Sequence, residues 1–274
     1  MVKEDAGTRW TVVTDPDPVL GDGVFGGDVG LGDLKFFVHT VNLIPEENAS
    51  YARPMDISLQ HEVSVAILTW DDGENRINLD SLGALNQRLD ELEATTGPLA
   101  VVLTGTGKFF SNGLDLARFG GNPIEFRDTL KEMKRTVGRL LLYPAYTVAA
   151  LNGHTFAGGA LISLGFDYRV MRDDRGYWCM NEAEIGLALD EQLFSILEHR
   201  LPKATARVAA FTSKRFTGPD ALAAGIVEAT ATEDQLVRHA IDVAESYVMA
   251  DRSILAQHKR LAHGAEATFL GFDN

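Results

Sequence analysis

The chain reads as an α/β domain with mainly parallel strand pairing, on three observations. Apolar runs of strand length at 99–104 (LAVVLT) and 146–151 (YTVAAL) alternate with stretches whose large residues recur at helical spacing. Each of these two runs breaks into small residues and then opens a helix: Gly105 and Gly107 lead to Gly113, and Asn152-Gly153 leads to Gly158-Gly159. Apolar residues make up 45% of the 274, enough to build a sizeable core and to exclude global disorder.

In chain order, residues 1–54 read as an extension. Positions 21–33 hold six glycines and three aspartates, a flexible composition, and only 10–13 and 36–41 have the apolar character of strands. The body is expected over 55–230, followed by a helical region over 231–274. Val63, Val65, Ile67 and Thr69 alternate as a strand, and 71–73 form a turn. Leu82, Leu85, Leu89 and Leu92 mark a helix capped by Asp80 or Ser81 and ended by Gly97-Pro98. After the strand at 99–104 comes a short helix near Leu116. Asn122-Pro123 opens a long helix through Met133, Val137 and Leu141, stopped by Pro144. The strand at 146–151 leads to a buried helix over 159–165. Strands at 168–171 and 177–180 flank the polar turn RDDRG. Three helices are expected to follow, one starting at Thr217 with Gly225 at its end and one starting over 232–235.

Charge and cysteine content narrow the function classes. A net charge of −14 argues against nucleic acid as the main partner, while leaving room for a polyanionic small ligand in a local basic pocket. Cys179 is the single cysteine, so intramolecular disulfides and cysteine metal clusters are excluded. The seven histidines show no ligand spacing, so no metal is expected. No apolar run reaches ~18 residues, no secretory pattern opens the chain and GFDN is not a peroxisomal signal, so a cytoplasmic setting is expected. GTGK at 105–108 lacks the first glycine and the hydroxyl residue of a phosphate loop, having Val102 and Phe109 there.

The two junctions carry the chemistry. A strand-to-helix junction leaves backbone N–H groups without intrahelical partners. Two junctions facing each other would aim two such donors at one oxygen, which is an oxyanion hole built from backbone. Among carboxylates that could work beside it, Glu182, Glu184, Asp190 and Glu191 cluster in one segment.

FFSNGLDL at 109–116, NGHTFAGGAL at 152–161 and FDYRVM at 166–171 resemble the crotonase superfamily of enoyl-CoA hydratases and isomerases. The resemblance covers roughly residues 57–263. It implies a spiral of β-β-α turns with a helical C-terminal part used for trimer contacts. It implies that the amides of Leu114 and Gly158 form the oxyanion hole, and that Glu182, four residues before Gly186, is the general acid/base. Hydratases of the superfamily carry a second glutamate where this chain has Leu161, and the segment around Glu182 looks most like the Δ3-Δ2-enoyl-CoA isomerase branch. Asp190 stands where dienoyl-CoA isomerases carry a catalytic aspartate, and a helix N-cap is its alternative. Coenzyme A, as part of an acyl-CoA substrate and not as a resident cofactor, would lie near Arg76, Asn78, Lys108, Asn112 and Gly113. A homo-oligomer, trimer or hexamer, is implied, with no nucleic acid or membrane partner. The expected activity is 3-enoyl-CoA to trans-2-enoyl-CoA isomerisation. Hydration, another crotonase-type reaction or a non-catalytic acyl-CoA-binding scaffold are the alternatives.

Overall fold

The structure, a computed structural model, describes residues 57–273 and the backbone of 28–31 and 34–37. In the expected extension, β1 (Asp28–Leu31) and β2 (Leu34–Phe37) pair antiparallel, Asp28 opposite Phe37. The apolar piece at 10–13, most of that at 36–41 and the boundary at residue 54 lie outside the described residues.

The body opens with a hairpin. β3 (Ile57–Glu62) and β4 (Val65–Trp70) pair antiparallel, Glu62 opposite Val65. Val63, expected inside a strand, sits in the connecting turn at φ 53, its side chain 93% exposed. The alternation expected over 63–69 is absent for a related reason. β4 lies between β3 and β5 (Ala100–Gly105), and Val65, Ala66, Ile67 and Leu68 are all buried. A central strand covered on both faces reads as continuously apolar.

α1 (Leu79–Glu93) buries Leu82, Leu85, Leu89 and Leu92 as expected. Its cap is Asn78, not Asp80 or Ser81. The Asn78 side chain accepts from the Ser81 amide at 3.0 Å, and the Ser81 hydroxyl accepts from the Asn78 amide at 3.0 Å. That reciprocal pair satisfies two donors that the first turn would otherwise leave open.

One pattern then repeats three times. β5 leads to β6 (Phe109–Ser111), α2 (Leu116–Phe119) and α3 (Pro123–Leu142). β7 (Tyr146–Leu151) leads to β8 (His154–Phe156) and α4 (Gly158–Leu164). β9 (Tyr168–Arg172) leads to β10 (Trp178–Cys179) and α5 (Glu191–Arg200). The first strand of each turn joins a six-stranded sheet ordered β11-β9-β7-β5-β4-β3, where β11 is Ala229–Ala231. The second joins a three-stranded sheet ordered β10-β8-β6. Apart from the β3–β4 hairpin, the pairs in both sheets are parallel. The chain therefore climbs as a spiral of β-β-α turns. α4 is buried at every residue, which its small and apolar sequence allows. On the outer face of the larger sheet, Val65, Ile67, Val102, Val148 and Val170 pack under α8 (Leu236–Ser246).

After β10 the described residues hold five helices, not three: α5, α6 (Lys203–Thr212), α7 (Gly218–Ala223), α8 and α9 (Arg252–Phe269). α7 starts with the expected capping box between Thr217 and Asp220. α8 begins at Leu236 with Gln235 at the cap position and no side-chain cap, and the Thr232 hydroxyl donates to Asp234 at 2.6 Å. α9 folds back on α3, where a Cβ at Gly138 would lie 3.1 Å from the Ala267 carbonyl. Lys259 of α9 is buried, donates to the Ala145 carbonyl at 2.8 Å and pairs with Asp167 at 2.5 Å.

Candidate active site

The two junctions face each other. The Ile77 amide donates to the Gly113 carbonyl at 2.8 Å and the Asp115 amide to the Ile77 carbonyl at 2.9 Å, so Ile77 holds the chain on both sides of Leu114. Neither the Leu114 amide nor the Gly158 amide donates in the turn and loop hydrogen bonds of the described residues. A Cβ at Gly113, where φ is 77, would lie 2.9 Å from the Ala157 Cβ and 3.3 Å from the Gly158 nitrogen. A Cβ at Gly158 would lie 2.8 Å from Met133 Sδ, 3.0 Å from Ile77 Cδ1 and 3.7 Å from Leu114 Cγ. Ala157, the residue before α4, is held at φ 49 and ψ −119, a conformation costing of order 1–3 kcal/mol that only a well-packed surrounding maintains.

The third strand of the small sheet brings the carboxylate. Cys179 pairs with Phe156, and the Ala157 amide donates to the Cys179 carbonyl at 2.9 Å. Glu182 follows three residues later, at the start of a turn closed by the Leu187 amide on the Glu182 carbonyl at 2.8 Å, with Gly186 at φ 72. The Glu182 side chain is 5% exposed, and its Oε2 has no hydrogen-bond partner among the described residues. Burial pushes its carboxyl up to about 7, because the loss of water by the charged form outweighs the lowering by a hydrogen bond from its own backbone. Neighbouring Asn181 also leaves its Oδ1 buried and unpartnered. Leu161 lies one turn into α4 from Gly158, 1% exposed.

The remaining expected site residues are placed differently from one another. Asp190 caps α5, accepting from the Leu193 amide at 2.9 Å, and forms an ion pair with the largely buried Lys134 of α3. Arg76 pairs with Glu74, and Asn112 donates to the same carboxylate at 3.1 Å. Asn78, beyond its capping role, reaches Asp115 at 3.4 Å, on the loop after Leu114. Lys108 stands before β6, at the opposite end of that strand from Leu114, with its ammonium 5.6 Å from the Phe109 ring centroid. The structure therefore brings Leu114, Gly113, Gly158 and the β10 end together and sets Lys108 apart. Cys179 is buried, donates to the Ser213 carbonyl at 3.2 Å, and its thiol is pushed up to about 12 by burial.

Four contributors were not singled out from sequence. Met133 and Ile77 back Gly158, Ala157 carries the strained turn, and Asn181 adds a second unpartnered oxygen. For Met133 and Ile77 the pattern shows only apolar side chains suited to a core. For Ala157 the signal is its place directly before two glycines.

A spiral of β-β-α turns, with two glycine junctions packed together and a buried carboxylate just after the third strand of the small sheet, is the architecture of the crotonase type. The enoyl-CoA hydratase/isomerase family profile matches residues 60–268, and the chain belongs to that family. The peroxisomal enoyl-CoA delta isomerase 2 of Arabidopsis thaliana is 34% identical over 173 residues, 60% of this chain and 72% of its own. A probable enoyl-CoA hydratase of Mycobacterium tuberculosis superposes with a TM-score of 0.74 at 28% identity, covering 80% of this chain and 92% of its own. Human mitochondrial delta3-delta2-enoyl-CoA isomerase does so with a TM-score of 0.71 at 27% identity, over 78% and 84% respectively. Among the described residues no helix is long and apolar enough to cross a membrane.

Proposed function

We propose that the protein isomerises 3-enoyl-CoA to trans-2-enoyl-CoA with one carboxylate. The observation that carries this reading is the buried, unpartnered Glu182 oxygen with its raised pKa. Glu182 takes a proton from C2, the C2–H electron pair delocalises into the thioester as a dienolate, and the same carboxyl returns the proton at C4. No atom is gained or lost. The Leu114 and Gly158 amides donate to the thioester oxygen as its charge grows, each donor contributing roughly 2.7–4 kcal/mol. A positioned base adds about 10²–10⁴-fold. A carboxyl with a pKa near 7 is divided between both forms at neutral pH, which suits a group that must accept and then release one proton.

Leu161 supports isomerisation over hydration. Its side chain cannot hold a water by hydrogen bonding, and Asp190 is engaged by Lys134 and its own helix. A scaffold would have no use for Glu182, since a buried polar group without a partner costs stability. The substrate is an acyl-CoA, with no resident cofactor. Arg76, Asn112 and the backbone at Gly113 lie on the Leu114 side, where coenzyme A phosphates would exchange with Glu74. The active assembly is a homo-oligomer in a cytoplasmic compartment. Product analysis after incubation with 3-hexenoyl-CoA tests the reading: trans-2-hexenoyl-CoA should accumulate with little 3-hydroxyhexanoyl-CoA. Hydration as fast as isomerisation would contradict it.

A further inference from the structure

Ser111, the last residue of β6, has no part in the proton shuttle, yet it touches both junctions. It is fully buried. Its hydroxyl accepts from the Gly113 amide at 3.2 Å and donates to the Asn75 carbonyl at 2.7 Å. α4 packs directly against it: a Cβ at Gly159 would lie 2.7 Å from Ser111 Cβ and 2.9 Å from Ser111 Oγ. One side chain therefore meets the residue before Leu114 and the residue after Gly158.

The backbone around it leaves a gap that only this hydroxyl fills. Residues 74–77 are strapped along 112–115. The Asn112 amide donates to the Glu74 carbonyl at 2.9 Å, the Ile77 amide to the Gly113 carbonyl at 2.8 Å and the Asp115 amide to the Ile77 carbonyl at 2.9 Å. The Gly113 amide has no carbonyl in this series, and the Ser111 hydroxyl takes it and passes the hydrogen bond on to Asn75. Asn75 is itself fixed. Its Nδ2 donates to the Trp70, Phe109 and Phe110 carbonyls at 3.1, 3.2 and 3.1 Å, and its Oδ1 accepts from the Asp72 amide at 2.8 Å. β6 is also irregular at this point. Phe109 stands opposite His154 and Ser111 opposite Thr155, so β6 advances two residues where β8 advances one. A bulge of this kind re-aims a side chain and is common beside active sites.

We propose that Ser111 is a positioning residue for the oxyanion hole. Its hydroxyl fixes the turn that presents the Leu114 amide, and its contact with Gly159 fixes the separation of that amide from the Gly158 amide. This rests on the isomerase reading and names what holds the two donors of that site in register. Both donors must meet one oxygen at once, so a small displacement of either weakens its bond to charge that develops only in the transition state. The loss therefore falls on kcat and spares binding of the rest of the acyl-CoA.

The test combines steady-state kinetics on 3-hexenoyl-CoA with the infrared difference spectrum of bound trans-2-hexenoyl-CoA labelled with carbon-13 at the thioester carbon. Donors aligned on the oxygen lower the carbonyl stretch of the wild-type complex. Ser111→Ala should lower kcat by roughly ten- to fifty-fold, change KM less than about three-fold and return the stretch towards that of the free ligand. Ser111→Cys, whose thiol is a weaker donor and acceptor, should fall between the two. Thr205→Ala is the control. It removes a hydroxyl bonded to the Ala224 carbonyl at 2.8 Å, on α6 and outside both junctions, so it should lower the melting temperature and leave kcat and the stretch unchanged. A Ser111→Ala protein with the wild-type kcat and stretch, or one whose kcat and KM worsen together with the stretch unmoved, overturns the role. A wild-type stretch equal to that of the free ligand overturns it as well. Should Ser111→Ala not fold, Ser111→Cys carries the same comparison. The spectrum needs no turnover, so the two claims separate. A lowered stretch that Ser111→Ala restores, in a wild type that does not isomerise, retires the isomerase reading and keeps Ser111. Isomerisation with a stretch that neither variant moves does the reverse.

Discussion

Glu182 and Asp190 are eight residues apart in one segment, and the structure treats them in opposite ways. Glu182 is buried with an oxygen that no donor meets, and its carboxyl is pushed up to about 7. Asp190 meets a donor on each oxygen: the Leu193 amide on Oδ1 and Lys134 on Oδ2. Asp190 is thus engaged by a helix end and an ammonium. The one held dry, with an oxygen that no donor among the described residues meets, is the group to which the proposed isomerisation assigns the proton. The difference lies in partners and not in residue type, and it can be broken from either side.

The largest effect is expected at the base. Glu182→Gln keeps the shape of the side chain and removes proton acceptance, so isomerase turnover should fall by at least about 10²-fold with acyl-CoA binding retained. Steady-state kinetics with 3-hexenoyl-CoA checks this, and near wild-type rates would move the role elsewhere.

Gly158→Ala comes next. The added methyl would lie 2.8 Å from Met133 Sδ and 3.0 Å from Ile77 Cδ1, so either these side chains or the donor must shift. A loss of roughly ten- to a hundred-fold in kcat is expected, with about 1–3 kcal/mol of stability from overpacking. A variant that loses stability but keeps kcat would show that the Gly158 amide does not touch the reaction.

The same burial makes a stability prediction. The folded protein keeps the Glu182 proton up to about pH 7, while the unfolded chain releases it near the ordinary value of 4.5. Between those values the folded state binds more protons, so this contribution is present below about 4.5 and is lost as pH rises to 7, by about 3 kcal/mol. Thermal melts should find Glu182→Gln more stable than wild type at pH 7.5, with the difference vanishing near pH 4. Buried His154, pulled down to about 4, acts in the opposite sense between 4 and 6.5, but it is common to both proteins and cancels. Equal stability of the two proteins at both pH values would mean that Glu182 is solvated.

Asp190→Asn should give the smallest effect. Asn is as good a cap, and Lys134 still has Gln192 at 2.8 Å. A loss of about 1 kcal/mol in stability is expected with kcat changed less than about three-fold.

These contrasts also show what could be read from residues alone. The junctions were legible because close backbone approach needs glycine, and Gly113, Gly158 and Gly159 stand at fixed places after apolar strands. The mainly parallel α/β domain was legible from those strands and their helices, and the spiral only from the resemblance of the motifs to the crotonase superfamily. The Asp190–Lys134 pair was not, because its partners are 56 residues apart and meet only in the folded chain. α9 falls in the helical region expected over 231–274 but could not be placed residue by residue, because the residues it buries are Lys259 and Ala267, while Leu261 is 86% exposed, so apolar spacing does not report its packed face. Val63 looked like a strand residue, yet the hairpin needs its backbone at positive φ, a demand that side-chain type does not announce.

The pH dependence of kcat/KM for 3-hexenoyl-CoA, measured on wild type and on Asp190→Asn, tests the contrast between the two carboxylates most directly. The proposed isomerisation requires Glu182 unprotonated at the first step. The rate should therefore rise with a slope of one and reach its half-value near pH 7 in both proteins. A half-value near 4.5, or one that moves with the Asp190 substitution, would contradict the assignment of the proton shuttle to Glu182.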